Sequence, residues 1–291
     1  VIDAAKGVEA QTIKLFKVCT LRHIPIFTFI NKMDREARDP FELMENIEEI
    51  LGIKTYPMNW PISCGKDFKG VYDRSAKRVL AFASDGRANG VKMVDEIEAE
   101  LGDAALDELI GTVNHEKLAE DIELLDGAAE EFDLEAVQHG ELSPVFFGSA
   151  LTNFGVEPFL KEFLRLTPAP LPRKDAASGE LVDPCSEQFS GFVFKIQANM
   201  NKNHRDRIAF LRICSGKFER GMEAFHVQEG KNIKLATGTS LMADDRAIVS
   251  EAYAGDIIGL FDPGIFSIGD TLCTGKKHVQ FAGIPTFAPE H

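Results

Sequence analysis

The 291-residue chain has no Gly-x-x-x-x-Gly-Lys-[Ser/Thr] loop, no Cys-x-x-Cys pair and no apolar run near the roughly 18 residues that cross a bilayer. Each absence excludes something. The four Gly-Lys pairs begin at Gly65, Gly216, Gly230 and Gly275, and none is followed by Ser or Thr, so nothing in the chain reads as a glycine loop around phosphates. Cys19, Cys64, Cys185, Cys214 and Cys273 are odd in number and read as reduced cytosolic core thiols, not as a disulfide framework. Seven scattered histidines give no zinc spacing, so no metal site is expected. Positive charge is scarce as well. Lys and Arg total 32 against 46 Asp and Glu, and the net charge of −14 argues against a broad nucleic-acid-coating surface but not against a local one; neither DNA nor a membrane is expected as a partner.

What is present starts at Ile24–Ile30, a short run rich in aromatic and β-branched residues that reads as a buried strand of a parallel sheet. Asn31-Lys32-Met33-Asp34 follows it directly, at the strand end where open α/β sheets bind ligands. An ionised Asp offers only acceptors and the N1–N2 edge of guanine offers only donors, whereas adenine has an acceptor at N1; Asp34 would therefore choose guanine. Lys32 can lay its aliphatic stem on a purine face with its ammonium reaching outward. Asn31 has donors for a base acceptor and an acceptor for a neighbouring loop. A second apolar run, Pro144–Phe147, precedes Gly148-Ser149-Ala150 and a helix-like stretch with Val156, Phe159, Leu160, Phe163 and Leu164 on one face. The guanine-binding set is Asn31, Lys32, Asp34, Ser149 and Ala150. No catalytic residue is assigned.

These motifs resemble the Asn-Lys-x-Asp and Ser-Ala motifs of the GTP-binding proteins. The resemblance implies that the Ala150 backbone N–H meets guanine O6, and that GTP or GDP is the ligand. No Asp-x-x-Gly segment of the kind that senses a γ-phosphate is found, and the chain opens on Val1-Ile2-Asp3, like a strand tail. The expectation is thus the C-terminal half of a P-loop GTPase-like α/β domain, with the phosphate-binding part lying upstream. Such a piece is expected to bind GTP weakly, not to hydrolyse it, and to leave an unpaired strand edge at Val1–Asp3 that invites pairing between copies.

Further along, Val8, Thr12, Leu15, Phe16 and Cys19 predict an amphipathic helix. Asp39-Pro40 with Glu42 predicts a capped helix running to Gly52. Residues from about 53 to 143 read as an α+β insertion with its own small core, in which Trp60, Phe68 and Tyr72 pack. Its acidic part, residues 95 to 135, reads chiefly as a solvated face. Thr167–Arg173 is proline-rich, so 1–167 is expected as one domain, 168–188 as a linker and 189–291 as an all-β barrel with turns at Ser215-Gly216, Glu229-Gly230, Gly255-Asp256 and Gly269-Asp270. Lys202, His204, Arg205 and Arg207 on a predicted hairpin turn are either solvated or in reach of ribosomal RNA phosphates. Lys6, Lys14 and Lys17 read as the wet side of the first helix.

A GTP-binding domain followed by a barrel resembles the translational GTPases. The opening through Thr12, the Trp60–Tyr72 stretch, Gly191–Met200, His204–Arg207 and Phe281–Glu290 are similar to the bacterial class II release factors within that family. The resemblance implies a cytoplasmic, ribosome-dependent GTP hydrolase that promotes departure of class I release factors after peptide release. Its partners would be ribosomal RNA, ribosomal proteins and those factors. It also implies catalysis by a histidine after the second switch glycine, together with a phosphate-loop lysine and a Mg2+-binding Thr or Ser, at positions this sequence does not contain. Ser149 stands where that family often has Thr, which leaves a backbone N–H contact unchanged. Two other readings stay open: an elongation or ribosome-protection GTPase, and a nucleotide-independent ribosome-docking module.

Overall fold

The first unit, Val1–Thr167, opens with β1 (Ile2–Asp3), α1 (Ala10–Thr20) and β2 (Thr28–Asn31). The computed structural model describes residues 1–21, 23–83, 95–128, 131–198, 207–235, 238–242 and 245–282. α2 (Pro40–Leu51) has the ends its sequence dictates. The Asp39 carboxylate accepts the Phe41 and Glu42 N–H groups at 2.9 and 3.4 Å, Pro40 occupies the first turn, and Gly52 closes the helix at φ 69°. α1 is present as expected but buries no residue; Phe16 packs on the core, while Leu15 and Val18 face outward.

The chain then forms β3 (Lys54–Pro57), an antiparallel sheet of β4 (Asn59–Ile62), β5 (Gly70–Asp73), β6 (Arg78–Ala83) and β7 (Asp95–Glu100), and helices α3 (Ala105–Ile110), α4 (Thr112–Ala128) and α5 (Leu134–His139). It returns as β8 (Leu142–Phe147) and ends in α6 (Val156–Leu166). The parallel sheet has the order β1-β2-β8-β3. Lys54–Pro57 is therefore an edge strand of that sheet, registered on Leu142–Val145, and the excursion starts after it instead of at about residue 53. Nor does the excursion have a core of its own. Trp60, Ile62, Tyr72, Val79, Leu106, Ile110 and Leu118 share one buried cluster with Ile2, Ile30, Met33, Val145 and Phe147. Trp60 is the pin of this arrangement: fully buried, it packs against the Phe41 and Phe147 rings, and its indole N–H donates to Asp121 on α4 at 3.0 Å. Part of the acidic face is thereby structural, since Asp126 also pairs with Arg74 at 2.9 Å.

The second unit, Pro168–His291, contains β9 (Arg173–Lys174), β10 (Leu181–Val182), β11 (Ser190–Ala198), β12 (Arg207–Ser215), β13 (Lys217–Glu219), β14 (Glu223–His226), β15 (Lys231–Lys234), β16 (Gly238–Met242), β17 (Asp245–Val249), β18 (Glu251–Tyr253), β19 (Ile257–Phe261) and β20 (Thr271–Cys273). Eight of them make an antiparallel sheet in the order β15-β14-β20-β11-β12-β19-β16-β17, which curls around Phe189, Val193, Leu211, Phe218, Ile258 and Leu272, as the all-β reading requires. The expected linker differs: β9 and β10 form a hairpin within this unit. Buried Asp175 accepts the Ala177, Ser178 and Gln280 N–H groups and the Ser178 hydroxyl, tying the hairpin to the chain near Phe281. All five cysteines are free, and of these only Cys214 and Cys273 are core thiols; Cys185 is exposed.

Candidate guanine-binding site

β2 and β8 are parallel neighbours with Ile30 opposite Phe147, so the residues that follow each strand emerge side by side. Backbone bonds then lock the two loops together. Gly148 N donates to Ile30 O at 3.0 Å, Met33 N to Gly148 O at 3.1 Å and Gly65 N to Met33 O at 2.8 Å. Met33, the unconstrained position of the motif, is 1% exposed and anchors the loop in the core. Gly148 has a steric reason to be glycine, because a Cβ would lie 2.4 Å from Phe154 O and 2.7 Å from the Phe29 ring.

The five residues singled out from sequence come together at this seam. The buried Ser149 hydroxyl donates to Asp34 Oδ1 at 2.5 Å, which fixes the carboxylate. Among the described residues Asp34 Oδ2 faces only the Arg35 guanidinium, at 4.0 Å, and so retains acceptor capacity. Asn31 Oδ1 accepts the Lys32 N–H at 2.8 Å and the Ala150 N–H at 2.9 Å. The Ala150 amide, expected to face guanine O6, is thus directed at the Asn31 carboxamide oxygen. Among the described residues the Asn31 NH2 group has no hydrogen bond.

Lys32 departs from expectation too. Its backbone is left-handed, φ 73°, and the ammonium of its half-exposed side chain pairs with Asp3 Oδ2 at 2.6 Å. That ammonium holds the Asp3 carboxyl below the usual carboxylate range. Sequence reading missed Asp3; the signal was its place one strand over, where the parallel register sets it opposite Asn31.

The donor set suits a purine with a donor edge and an acceptor at its opposite corner: one open carboxylate oxygen, one open amide NH2 and a lysine stem. It does not suit a metal. No group of three or more His, Cys, Asp or Glu side chains among the described residues converges to hold one. Of the basic run, Lys202, His204 and Arg205 lie outside the described residues. Arg207 is committed, pairing with Asp262 at 2.7 Å and donating to Phe266 O at 2.9 Å.

Residues 1–169 match the family model described as the elongation factor Tu GTP binding domain. The chain belongs to that family. A second model, elongation factor G domain 2, matches residues 188–275 of this GTP-binding-domain protein. Curated relatives named peptide chain release factor 3 include one from Symbiobacterium thermophilum, 59% identical over 290 residues, and one from Ligilactobacillus salivarius, 52% identical over 291. Both alignments take in 100% of this chain and 54% of the relative, so the chain spans about half the length of the curated relatives it matches. A solved structure of a protein from Thermus thermophilus superimposes with a TM-score of 0.66 at 24% identity, over 98% of this chain and 42% of that one, a likeness of fold. Among the described residues no helix is long and apolar enough to cross a membrane.

Proposed function

We propose that Asn31, Lys32, Asp34, Ser149 and Ala150 read the guanine of GTP and GDP in a ribosome-dependent translational GTPase. In this reading the protein works in the cytoplasm at termination, promoting dissociation of class I release factors from the ribosome after peptide release. The observation that carries the site is the Asp34 carboxylate, fixed by Ser149 at the joint end of two parallel strands with one oxygen open. The step in translation is supported by the relatives named peptide chain release factor 3.

Asp34 would accept the N1 and N2 hydrogens of guanine, and Asn31 would give its NH2 to the acceptor side of the ring. Ala150 would release Asn31 to donate to O6, a group adenine lacks. The 291 residues have no phosphate loop, so binding of the phosphates and of Mg2+, and hydrolysis itself, are assigned to other parts of the longer protein. In the full-length protein Asp34→Asn, which replaces an acceptor with a donor, should weaken GTP by about a hundredfold and improve xanthosine triphosphate, whose C2 carbonyl then meets an NH2. Competition binding of the two nucleotides checks this, and an unchanged preference for GTP overturns the base reading. Ribosome-stimulated hydrolysis and release-factor turnover on stop-codon complexes test the step; an effect on elongating ribosomes only would overturn it.

A further inference from the structure

We propose that Asp3 is a positioning residue for guanine recognition: by clamping the Lys32 ammonium it holds the lysine stem in place as the wall against which the base stacks. The inference rests on the base-reading function above and extends it to a residue outside the motif.

The geometry begins with the sheet. β1 and β2 are parallel, with Asp3 opposite Asn31, so the residue after Asn31 leaves its strand one position beyond the Asp3 side chain. Lys32 takes up a left-handed backbone, a conformation uncommon outside glycine, and its side chain spans to Asp3 with Nζ to Oδ2 at 2.6 Å. Asp3 is itself immobilised. Its Oδ1 accepts the Ala5 N–H at 2.9 Å, its carbonyl accepts from Lys6 and Gly7 at 3.1 and 2.8 Å, and its side chain is 13% exposed. The next residue is tied to the same motif, with Ala4 N donating to Asn31 O at 2.9 Å. The anchor is thus a rigid turn wired to the recognition loop.

A free lysine loses most of its rotamer freedom when its stem is pressed against a ring, and that loss opposes binding. A lysine already held at its far end has lost much of it on folding. Asp3 also takes up the charge of Lys32, so that the lysine contributes a methylene face beside Asn31 and Asp34 instead of a mobile cation.

The test uses the full-length protein and measures GDP and inosine diphosphate affinity for wild type, Asp3→Asn, Asp3→Glu, Lys32→Gln and the Asp3→Asn/Lys32→Gln double variant, with thermal unfolding of each. Asp3→Asn should weaken GDP about tenfold, chiefly through faster release, with the GDP to inosine diphosphate ratio unchanged, because that ratio reports Asp34. Asp3→Glu should restore part of the loss. In the Lys32→Gln background Asp3→Asn should have no further effect. Wild-type affinity in Asp3→Asn, or full additivity with Lys32→Gln, overturns the inference and leaves the base reading intact. A loss that tracks the melting temperature across the variants overturns it too. A wild-type protein with no preference for guanine would overturn the base reading itself.

Discussion

Asp34 in the first unit and Asp262 in the second are the same side chain with opposite employment, and their hydrogen-bond partners say which is which. Asp34 has one hydroxyl on one oxygen, and its other oxygen is 4.0 Å from the nearest cation. The side chain of Asp262 is fully buried. Its Oδ1 takes the N–H groups of Gly264, Ile265 and Phe266 at 2.8, 2.8 and 3.2 Å, and its buried Oδ2 sits in an ion pair with Arg207 Nε at 2.7 Å that lacks hydrogen-bond alignment. The pattern extends through the second unit. Asp270 is shared between the Ser267 N–H and the buried His226 ring, at 2.7 and 2.8 Å, and Asp175 is saturated by four donors. Carboxylates in the second unit stitch loops to strands, whereas at the joint end of β2 and β8 a carboxylate is oriented and left with an oxygen to give. A carboxylate closed off from solvent and tied to its own loop in this way presents no open oxygen to a ligand.

The largest expected effect separates the two directly. Asp262→Ala removes the ion-pair partner of Arg207 and leaves three backbone N–H groups without an acceptor, and should cost about 3–5 kcal/mol in urea unfolding of the second unit while leaving guanine affinity alone. Asp34→Ala should do the reverse, costing under about 1 kcal/mol of stability while lowering GTP affinity in the full-length protein by about a hundredfold. If both variants lose stability equally, the contrast between the two carboxylates fails.

Asp175→Asn comes next, at about 2 kcal/mol, because an amide cannot accept four donors. Its acid dependence has a definite sign. The folded carboxyl sits at about 2, held down first by the Ser178 hydroxyl and then by the Gln280 N–H. Its stabilisation is therefore complete above the unfolded value of about 3.8 and is lost as pH falls from there to about 2. Melting curves of wild type and Asp175→Asn should converge over that window and stay apart above it. The same bonds explain why a stretch that reads as linker folds with the barrel.

How far the sequence was legible follows from where each partner lies along the chain. The Asn31–Asp34 and Gly148–Ala150 loops could be placed because each follows a short apolar run whose period and length mean buried strand, and because Asp39-Pro40 and Gly52 punctuate a helix chemically. Lys54–Pro57 could not. Four residues ending in proline carry no period of their own, and their partner is β8, reached only after the whole excursion. The β9–β10 hairpin was hidden for a related reason, since Asp175 finds Gln280 only once the chain has folded back. Asp3 was invisible for a third: the position of one strand beside another is a property of the sheet, and no local motif encodes it.

The smallest effect probes the excursion on the first unit, where a titrating group has a structural role. His115 on α4 has Nδ1 2.9 Å from Asp107 Oδ1 on α3 and Nε2 2.7 Å from Leu101 O. Two acceptors face two ring nitrogens, so the imidazolium, which donates from both, is the form that fits. The Asp107 carboxylate first, and the Leu101 carbonyl second, raise its pKa above the usual histidine value. A raised folded value means that the stabilisation is fully present below about pH 6.5 and lost as pH climbs through the folded pKa. Hydrogen exchange in Ala105–Ile110 and in the first turns of α4, corrected for its intrinsic pH dependence, should therefore speed up a few-fold towards alkaline pH. In His115→Gln, whose amide NH2 donates equally at all pH values, that dependence should be flat. A wild-type profile equally flat would mean that the α3–α4 contact rests on Leu106, Ile110 and Leu118 alone, and that this acidic segment uses its one well-placed histidine no differently from the buried carboxylates of the second unit.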